Sequence, residues 1–410
     1  MKINIEKNIY NIELDSLITV GKRVNNSLRN FLFISKVLGK HIEVRGDICK
    51  GIGILLASAM YENNNSNDIN MLLEYLKNPE KINEHTKSII DSYTFENKGE
   101  DILILGFAET ATGLGMAVAS SIENSFYLTT TRENINSIEP LVNFLEEHSH
   151  ATVHKCFPLE KKNIINKDRI ILVDDEITTG KSMINIIKEL TKVTNVKKYT
   201  VLSILDWRSY EHKKLFEDME SETEIKANVV SLISGNIKVS DNRVFTNNNE
   251  NEITNKTEVI NLNGLDRISV VSTENVKKSY YKDSGRFGTS RDSIVNLDFM
   301  CSSIAREIEK YINSDWKILV MGHGENIYIP AKISSYLKND TYFKTTTRSP
   351  IFCDKEEGYP IKSNNIFYDE GVKYYMYNKE EIESKYDKVI LITENDLNIK
   401  LTENILIFKI

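Results

Sequence analysis

Short apolar runs alternate with segments of helical periodicity through the first half of the chain. The run 101–106 (DILILG) is continuous and apolar and ends in glycine, which is typical of a strand buried on both faces of a parallel sheet. Three similar runs follow, and helical patterns lie near 113–122 and 180–190; the runs are 125–132, 169–175 and 199–207. Strands that alternate with helices predict an α/β fold with a mainly parallel, doubly wound sheet flanked by helices.

The flanking segments are less regular. Residues 51–60 (GIGILLASAM) are small and apolar and predict a buried helix, and residues 69–92 predict a helical stretch after the polar loop at 61–68. Residues 140–148 (PLVNFLEEH) are compatible with either a helix or an ordered loop.

The most polar stretch of the chain is 241–258, in which asparagine dominates, and its composition is typical of a linker. The chain has 410 residues, which exceeds what a single hydrophobic core usually supports. We therefore predict a first domain over 1–240, an Asn-rich linker over 241–258, and a second domain over 259–410.

Two short motifs occur twice at one spacing. ILILGFAE at 102–109 matches ILVMGHGE at 318–325, and TTTR at 129–132 matches TTTR at 345–348, both 216 positions apart. Two separate matches at one spacing predict an internal duplication, with a second domain that is a degenerate copy of the first core.

The segment 169–182, RIILVDDEITTGKS, indicates the clearest chemistry. Asp174 and Asp175 follow its apolar run, at the strand end where open α/β sheets bind ligands. A turn then leads into a helix whose first N–H groups have no internal partners and are suited to bind phosphate. Two carboxylates beside such a turn suit the vicinal hydroxyls of a ribose 5-phosphate. The turn comprises Thr178, Thr179, Gly180, Lys181 and Ser182.

A plainer interpretation of this segment is a strand and a capped helix whose acids only face solvent. A Walker A loop is excluded, because no glycine stands five residues before Gly180.

The segment resembles the motif of type I phosphoribosyltransferases that binds phosphoribosyl pyrophosphate (PRPP). That motif combines an apolar strand, two acidic residues and a Thr-Thr-Gly loop, and its likeness here extends over residues 169–182. The resemblance implies that Asp174 and Asp175 contact the ribose hydroxyls and that the loop 178–182 binds the 5-phosphate. It also implies Mg²⁺ as cofactor, held by the two aspartates only indirectly, through PRPP.

The same resemblance implies roles for two further parts of the first domain. The loop after strand 101–106 would bind pyrophosphate, and Arg132 would reach the pyrophosphate or a neighbouring subunit, although an exposed arginine at a strand end is the alternative. We therefore predict Asp174, Asp175 and Arg132 as the catalytic residues. The residues predicted in the pyrophosphate loop are Gly106, Ala108, Glu109 and Thr110.

The segment 133–168 corresponds to the mobile loop that covers the site in that family. It contains four residues that could assist departure of pyrophosphate, although each taken singly is more typical of a surface: His148, His150, His154 and Lys155. Base recognition in this fold comes from a variable hood, which we expect in residues 1–50 and 207–240.

The sequence is also similar, over nearly its whole length, to a two-domain family that pairs a phosphoribosyltransferase domain with a C-terminal domain named for its Thr-Arg-Ser-Pro (TRSP) motif. The segments that carry this similarity are 31–41 (FLFISKVLGKH), 106–115 (GFAETATGLG) and 345–350 (TTTRSP). The family is associated with tellurite-resistance-type stress gene clusters. The similarity implies transfer of phosphoribosyl to an unidentified base-like acceptor, making a nucleotide-like stress metabolite.

The second domain differs from the first at its expected site. A weaker match aligns 169–176 with 388–395, so that Thr393 and Glu394 take the places of the two aspartates and no Thr-Thr-Gly turn follows. We predict that this half does not bind PRPP in the standard way. Its Gly-rich strand end, together with Arg286 and Arg348, could either bind an anionic group or form turns and an interface. His323 could be a base or a nucleophile, although a lone histidine after a strand more often only lines a site; Glu325 and Ser349 are the remaining candidates.

Composition narrows the possible partners. The formal net charge is −7 without a basic block, so a nucleic-acid partner is not indicated. None of the 4 cysteines forms a CxxC pair, which favours reduced thiols over zinc or disulfides. No apolar run approaches the roughly 20 residues of a membrane span, and the first residues lack an apolar signal core. We expect a cytoplasmic protein without a membrane partner, with a homodimer as an open alternative.

Two other functions remain open from the sequence. A regulator could use the fold to sense PRPP or a nucleotide without turnover, although no helix-turn-helix is apparent that would suit a repressor. The chain could also be bifunctional, with a second domain that acts on the ribosylated product.

Overall fold

The computed structural model describes residues 2–26, 29–145, 153–238, 243–246, 250–271 and 276–410. In the first half the strands are β1 (Lys2–Asn8), β2 (Ile18–Lys22), β3 (Phe31–Ser35), β4 (Ile102–Gly106), β5 (Ser125–Thr129), β6 (Val142–Leu145), β7 (Val153–Cys156), β8 (Arg169–Ile177), β9 (Lys198–Asp206) and β10 (Lys226–Lys238). The helices of this half are α1 (Leu14–Leu17), α2 (Ile48–Met60), α3 (Asn67–Lys77), α4 (Glu84–Ser92), α5 (Ala111–Ser120), α6 (Lys162–Ile165), α7 (Lys181–Leu190) and α8 (Tyr210–Thr223).

The second half has its own set of elements. Its strands are β11 (Asn251–Glu252), β12 (Val259–Asn261), β13 (Arg267–Val271), β14 (Lys277–Tyr281), β15 (Thr289–Ser290), β16 (Lys317–Gly322), β17 (Asp340–Thr345), β18 (Asn364–Asp369), β19 (Val372–Tyr377), β20 (Lys388–Thr393) and β21 (Ile405–Lys409). Its helices are α9 (Arg291–Ile308), which a short 3-10 turn extends, α10 (Tyr328–Tyr336) and α11 (Lys379–Lys385).

The main sheet of the first half has 7 strands in the order β1-β10-β9-β8-β4-β5-β15. The five strands from β10 to β5 are parallel, and the edge strands β1 and β15 are antiparallel to their neighbours. Every residue of β4 is buried, as expected for an interior strand of a sheet covered on both faces. The predicted α/β fold with a mainly parallel sheet is confirmed.

The helices around this sheet pack closely because their buried faces are small or apolar. A Cβ atom at Gly53 of α2 would lie 2.6 Å from the Cβ of Ala117 in α5, so glycine permits this close approach. The helix α7, which follows β8, is amphipathic, and its buried residues include Met183, Ile187 and Leu190.

The second half contains a 5-stranded sheet in the order β12-β21-β20-β16-β17, and all of its pairings are parallel. The order β21-β20-β16-β17 reproduces the order β9-β8-β4-β5 of the first half. Each half also has an antiparallel hairpin before its first long helix, formed by β2 and β3 or by β13 and β14. A second hairpin follows the TTTR motif in each half, formed by β6 and β7 or by β18 and β19.

An arm of the first half pairs with the edge of the second sheet. This first arm, residues 36–46, lies between β3 and α2. The backbone N–H of Phe343 donates to the carbonyl of Val44 at 2.7 Å, and the N–H of Thr345 donates to the carbonyl of Gly39 at 2.8 Å. The first arm therefore extends the edge strand β17 of the other half.

The equivalent arm of the second half pairs with the edge of the first sheet. This second arm, residues 282–290, lies between β14 and α9 and contains β15. Thr289 pairs with Tyr127, and the N–H of Thr129 donates to the carbonyl of Gly285 at 2.9 Å. Each half therefore covers the sheet edge of the other, and buried residues of both halves join in one hydrophobic cluster.

Two segments differ from their predicted structure. The helical stretch predicted at 69–92 is two helices, α3 and α4, separated by a turn. The segment 140–148, for which a helix or loop was expected, contains strand β6, because Val142 and Phe144 are buried while Asn143 between them is exposed. This period of two is the pattern of a strand that is covered on one face.

The described part of the predicted linker 241–258 is packed against other elements. The carbonyl of Phe245 accepts from the N–H of Asn25 at 2.9 Å, and β11 pairs in parallel with β18. The exposed edge of β18 supplies backbone partners for this polar segment, which explains why asparagine-rich chain is ordered here. Within the described residues, no helix is long and apolar enough to cross a membrane.

Candidate functional site

The two predicted aspartates lie in the last part of β8. This strand continues to Ile177, so Asp174 and Asp175 are strand residues near its carboxyl end, and both are half-buried. The N–H of Asp175 donates to Oδ1 of Asp174 at 2.9 Å, which orients that carboxylate. The structure thus presents two adjacent carboxylates at the strand end where parallel sheets bind ligands.

The turn after β8 ends at the first residue of α7. Gly180 precedes the helix with a φ of +75°, a left-handed conformation that side chains rarely adopt. The hydroxyl of Thr179 accepts from the N–H of Lys181 at 3.3 Å. Thr178, Thr179 and Ser182 are half-buried beside the positive end of the α7 dipole. This arrangement fits the predicted phosphate site.

Two ion pairs, the first half-buried and the second buried, support the walls of this region. Arg29 binds the carboxylate of Glu176 at 2.6 Å, and Arg208 binds that of Asp206 at 2.8 Å. A Cβ atom at Gly180 would lie 2.5 Å from the ring of Phe216, so the turn is packed tightly against α8. Burial raises the pKa of Glu176, and the charge of Arg29 opposes that rise.

The predicted pyrophosphate loop is buried, and two of its backbone donors have partners within the protein. The N–H of Phe107 donates to the carbonyl of Val173 at 3.1 Å, and the N–H of Ala108 donates to the hydroxyl of Thr130 at 2.8 Å. A Cβ at Gly106 would lie 2.6 Å from the hydroxyl of Tyr127, so glycine is required for this close packing. The hydroxyl of Thr110 accepts from Nζ of Lys40 at 2.8 Å.

The side chain of Glu109 points into the second half. Its carboxylate accepts from the hydroxyl of Thr347 at 2.7 Å and from the N–H of Arg348 at 3.2 Å, and Nζ of Lys40 lies 3.4 Å away. Burial alone would raise the pKa of Glu109, but the charges of Lys40 and Arg132 and the Thr347 bond together lower it. The carboxylate is therefore an ionised interdomain contact, and its predicted role at the pyrophosphate stays a prediction.

Glu325 makes the equivalent contact in the opposite direction. Its carboxylate accepts from the hydroxyl of Thr131 at 2.6 Å and from the N–H of Arg132 at 2.8 Å. Glu325 follows Glu109 by 216 positions, and Thr347 follows Thr131 by the same number. The two TTTR motifs are thus held by the glutamate of the opposite half.

Arg132 therefore has its backbone fixed by the second half, and its Nε lies 3.4 Å from Nε2 of His154. The other ring nitrogen of His154 bonds the hydroxyl of Thr130 at 2.9 Å, and the ring is buried. Lys155 bonds the side-chain oxygen of Asn134 at 2.5 Å. His148 and His150 lie outside the described residues.

The cationic candidates of the second half contact carboxylates. Arg286 lies 3.2 Å from Glu394 and 3.7 Å from Glu325, and its ring neighbour is Tyr280. Arg348 binds Glu133 at 2.5 Å. These contacts favour the interface alternative over a free anion site for both arginines.

His323 is held at both ring nitrogens. Its Nδ1 bonds the hydroxyl of Thr346 at 2.8 Å, and its Nε2 lies 3.2 Å from Asp369. The Asp369 pKa is lowered, because His323 and Lys278 outweigh the effect of burial. Ser349 is half-buried, and its N–H donates to the hydroxyl of Thr347 at 3.1 Å.

Several site residues were missed from the sequence. Arg29 and Lys40 of the first half and Glu133 beside the second half were not singled out. One signal was available: Gly39-Lys40 and Gly285-Arg286 are similar pairs 246 positions apart. In the described part of the chain, no group of three or more His, Cys, Asp or Glu side chains is arranged to hold a metal.

Two family models match the chain. The family model described as phosphoribosyl transferase matches residues 17–236, and the TRSP domain C-terminal to it matches residues 283–408. No curated protein matches the chain.

Solved structures similar to the chain are adenine and orotate phosphoribosyltransferases. The Trypanosoma brucei adenine enzyme is 15% identical with a TM-score of 0.25, and the match covers 32% of this chain and 55% of that one. The Saccharomyces cerevisiae adenine enzyme is 15% identical with a TM-score of 0.24, covering 44% and 79%. The Mycobacterium tuberculosis orotate enzyme is 12% identical with a TM-score of 0.20, covering 47% and 94%. The family model, which spans more than half of the chain, confirms the predicted assignment: this protein belongs to the phosphoribosyl transferase family and carries a C-terminal TRSP domain.

Proposed function

We propose that the first half transfers a 5-phosphoribosyl group from PRPP to a base-like acceptor and releases pyrophosphate. This proposal rests on the arrangement at the end of β8, where two adjacent carboxylates are followed by a glycine in the left-handed conformation at the start of α7. Asp174 and Asp175 would bind the ribose hydroxyls, and the loop 178–182 would bind the 5-phosphate at the helix N-terminus.

The reaction breaks the bond between C1 of the ribose and an oxygen of pyrophosphate, which leaves with the electron pair. A lone pair of the acceptor forms the new bond to C1, and the acceptor's proton passes to solvent. The side chain and backbone of Arg132 lie beside the loop 106–110, which suits stabilisation of the departing negative charge. The protein would act mainly by positioning and by electrostatic stabilisation of an oxocarbenium-like state.

Mg²⁺ fits this site as a companion of the substrate. Its preferred ligands are oxygen atoms, and it is usually bound by one or two carboxylates together with substrate phosphates. Asp174 and Asp175 would hold the ion only indirectly, through the PRPP that they bind, and the described residues contain no group of three or more His, Cys, Asp or Glu side chains that could hold a metal by themselves. When bound, the ion would neutralise pyrophosphate charge.

The acceptor would bind under the hood formed by hairpin β2–β3, where Arg29 stacks on Phe31 at 4.6 Å. The finer proposal, synthesis of a nucleotide-like stress metabolite in the cytoplasm, rests on the family resemblance. We retain domains over 1–240 and 259–410 as part of this proposal.

The proposal is tested by calorimetry with PRPP and Mg²⁺ on the double variant D174N/D175N. Loss of both ribose contacts should weaken PRPP binding by about 100-fold or more, since each hydrogen bond to a charged group contributes about 1.5–3 kcal/mol. The matched control is D218N, an exposed aspartate on α8, which should bind PRPP normally. Unchanged affinity in D174N/D175N would overturn the assignment.

If binding is confirmed, incubation with PRPP, Mg²⁺ and cell extract should release pyrophosphate and yield a new ribosylated species by mass spectrometry. Stable PRPP binding without pyrophosphate release under any acceptor mixture would instead indicate a sensor.

A further inference from the structure

The contacts between the halves are related by an approximate two-fold symmetry. The N–H of Asn136 donates to the carbonyl of Val271 at 2.8 Å, and the N–H of Phe352 donates to the carbonyl of Lys22 at 2.9 Å. Phe352 follows Asn136 by 216 positions, and Val271 and Lys22 both end the first strand of their hairpins. The segment after each TTTR motif thus covers the hairpin of the opposite half.

A cavity lies in the second half at the place that corresponds to the proposed PRPP site of the first. It has a volume of about 50 Å³ and lies between the loop after β16, the end of β20 and the hairpin β13–β14. Glu133 of the first half completes its wall. A water-sized group needs roughly 10–15 Å³, so the space holds about four such groups.

The charge of the wall opposes a polyphosphate ligand. The charged side chains that line it are the carboxylates Glu133, Glu325, Asp369 and Glu394 and the cations Lys278 and Arg286, beside His323 and two tyrosines. The cations lie against the acids, with Lys278 3.2 Å from Glu133 and Arg286 3.2 Å from Glu394. Because carboxylates outnumber cations, a ligand with several negative charges would be repelled.

Two buried donors on residues that line the cavity have no protein partner. Nε of Arg286 and Nδ2 of Asn326 are buried without a hydrogen bond, and the two residues are 5% and 7% exposed. Both residues line this cavity and a smaller one beside it. A buried donor without a partner costs roughly 1–3 kcal/mol, so an uncharged acceptor oxygen in the cavity would stabilise both.

We propose that this cavity binds the ribose of an uncharged nucleoside, which makes the second half a second ribosyl-binding site. Hydroxyl and ring oxygens would accept from Arg286 and Asn326, while hydroxyl hydrogens would be donated to the wall carboxylates. The choice of ribose rests on the proposed function, because Glu394 takes the place of Asp175.

The test is calorimetry on the full chain in the D174N/D175N background, which removes the first site. Adenosine and uridine should bind with affinities within about threefold of one another, because only the ribose is shared. AMP should bind at least about tenfold more weakly, since its phosphate approaches an acidic wall. Equal or tighter binding of AMP, or no binding of either nucleoside, would overturn the proposal.

The variant N326L distinguishes a role of Asn326 in ligand binding from a purely structural role. It removes an unpartnered donor with little change in volume, so nucleoside binding should fall at least about tenfold while Tm stays equal or rises. The control N70L, at an exposed position of α3, should leave binding unchanged. Unchanged nucleoside binding in N326L would also sink the idea.

A second variant, R286K, keeps the positive charge and removes Nε. If N326L does not fold, nucleoside binding is measured in R286K instead, and it should fall in the same way. The two proposals fail separately. PRPP binding that survives D174N/D175N contradicts the first site, whereas nucleoside binding that is unchanged in N326L, or in R286K where N326L does not fold, contradicts the second.

Discussion

The two halves share four central strands in one order and differ mainly at the end of the third strand along the chain. In the first half Asp174 and Asp175 are followed by a left-handed glycine and the ten-residue helix α7. In the second, β20 ends at Thr393, and the next residue, Glu394, accepts a hydrogen bond from the backbone N–H of Tyr281 at 3.0 Å. A carboxylate at the same place is thus half-buried at the proposed PRPP site in one half and a structural contact in the other.

The two arms show a smaller difference of the same kind. Lys40 and His41 in the first arm correspond to Arg286 and Phe287 in the second, 246 positions later. Both basic residues approach the glutamate of their own half, at 3.4 Å from Glu109 or 3.7 Å from Glu325. The exchange of histidine for phenylalanine, however, places an ionisable ring in only one of the two interfaces.

Breaking the reciprocal glutamate contacts should have the largest effect on stability. In E109Q, Lys40 and Arg132 would lose a buried negative neighbour, and removal of one member of such a pair costs about 3–5 kcal/mol. We expect a similar loss in E325Q if the two interfaces are equivalent. The free energies of unfolding of both variants can be measured by denaturant unfolding.

The matched control is E160Q, because Glu160 is 57% exposed and pairs with Lys162 at 3.0 Å. An exposed pair contributes below about 1 kcal/mol. A cost for E109Q as small as that of E160Q would contradict an ionised interdomain contact.

Substitution of the glycines in the two arms should have the next largest effect on stability. A Cβ at Gly285 would overlap the ring of Tyr127, and one at Gly39 would overlap that of Phe343, in both cases with positive φ. We expect G285A and G39A to cost about 3 kcal/mol each, from left-handed strain together with overpacking.

The variant G371A separates the contribution of backbone strain from that of overpacking. Gly371 has a φ of +77° and no neighbour within 4 Å, so alanine there should cost only about 1–2 kcal/mol from backbone strain. Thermal or denaturant unfolding of the three variants ranks them. If G285A costs no more than G371A, the second arm is not packed as described.

The smallest effect should be the change of stability with pH that arises from His41 in the first arm. Burial lowers the pKa of His41, and the charges of Lys40 and Lys344 lower it further, so the ring is neutral in the folded state. The unfolded chain takes up a proton below about pH 6.5, so stability should fall by up to about 1.4 kcal/mol per pH unit below that value.

H41F should flatten this pH dependence between pH 7 and 5, because phenylalanine occupies the corresponding place at Phe287. It also removes two buried ring nitrogens that lack partners. Equal slopes for the wild type and H41F in unfolding experiments at several pH values would exclude this role for His41.

Local patterns were sufficient for much of the fold. The strands at 102–106 and 169–177 and the helix at 181–190 were predictable, because apolar runs and the glycine turn are properties of neighbouring residues. The segment 140–148 was ambiguous, because a strand of four residues is too short for its period to decide. The linker was predicted from composition alone, and composition does not reveal that this segment can pair with the exposed edge of β18.

By itself, the sequence determined the α/β class, the aspartate pair with the Thr-Thr-Gly turn that follows it, and the repeat of two motifs at one spacing. The tertiary structure alone decided where the repeated glutamates point, because Glu109 and Glu325 bind residues more than 190 positions away in the chain. It also decided that Glu133 of one half closes a cavity of the other. Such contacts depend on how two sheets are placed against each other, and no local pattern of residues encodes that placement.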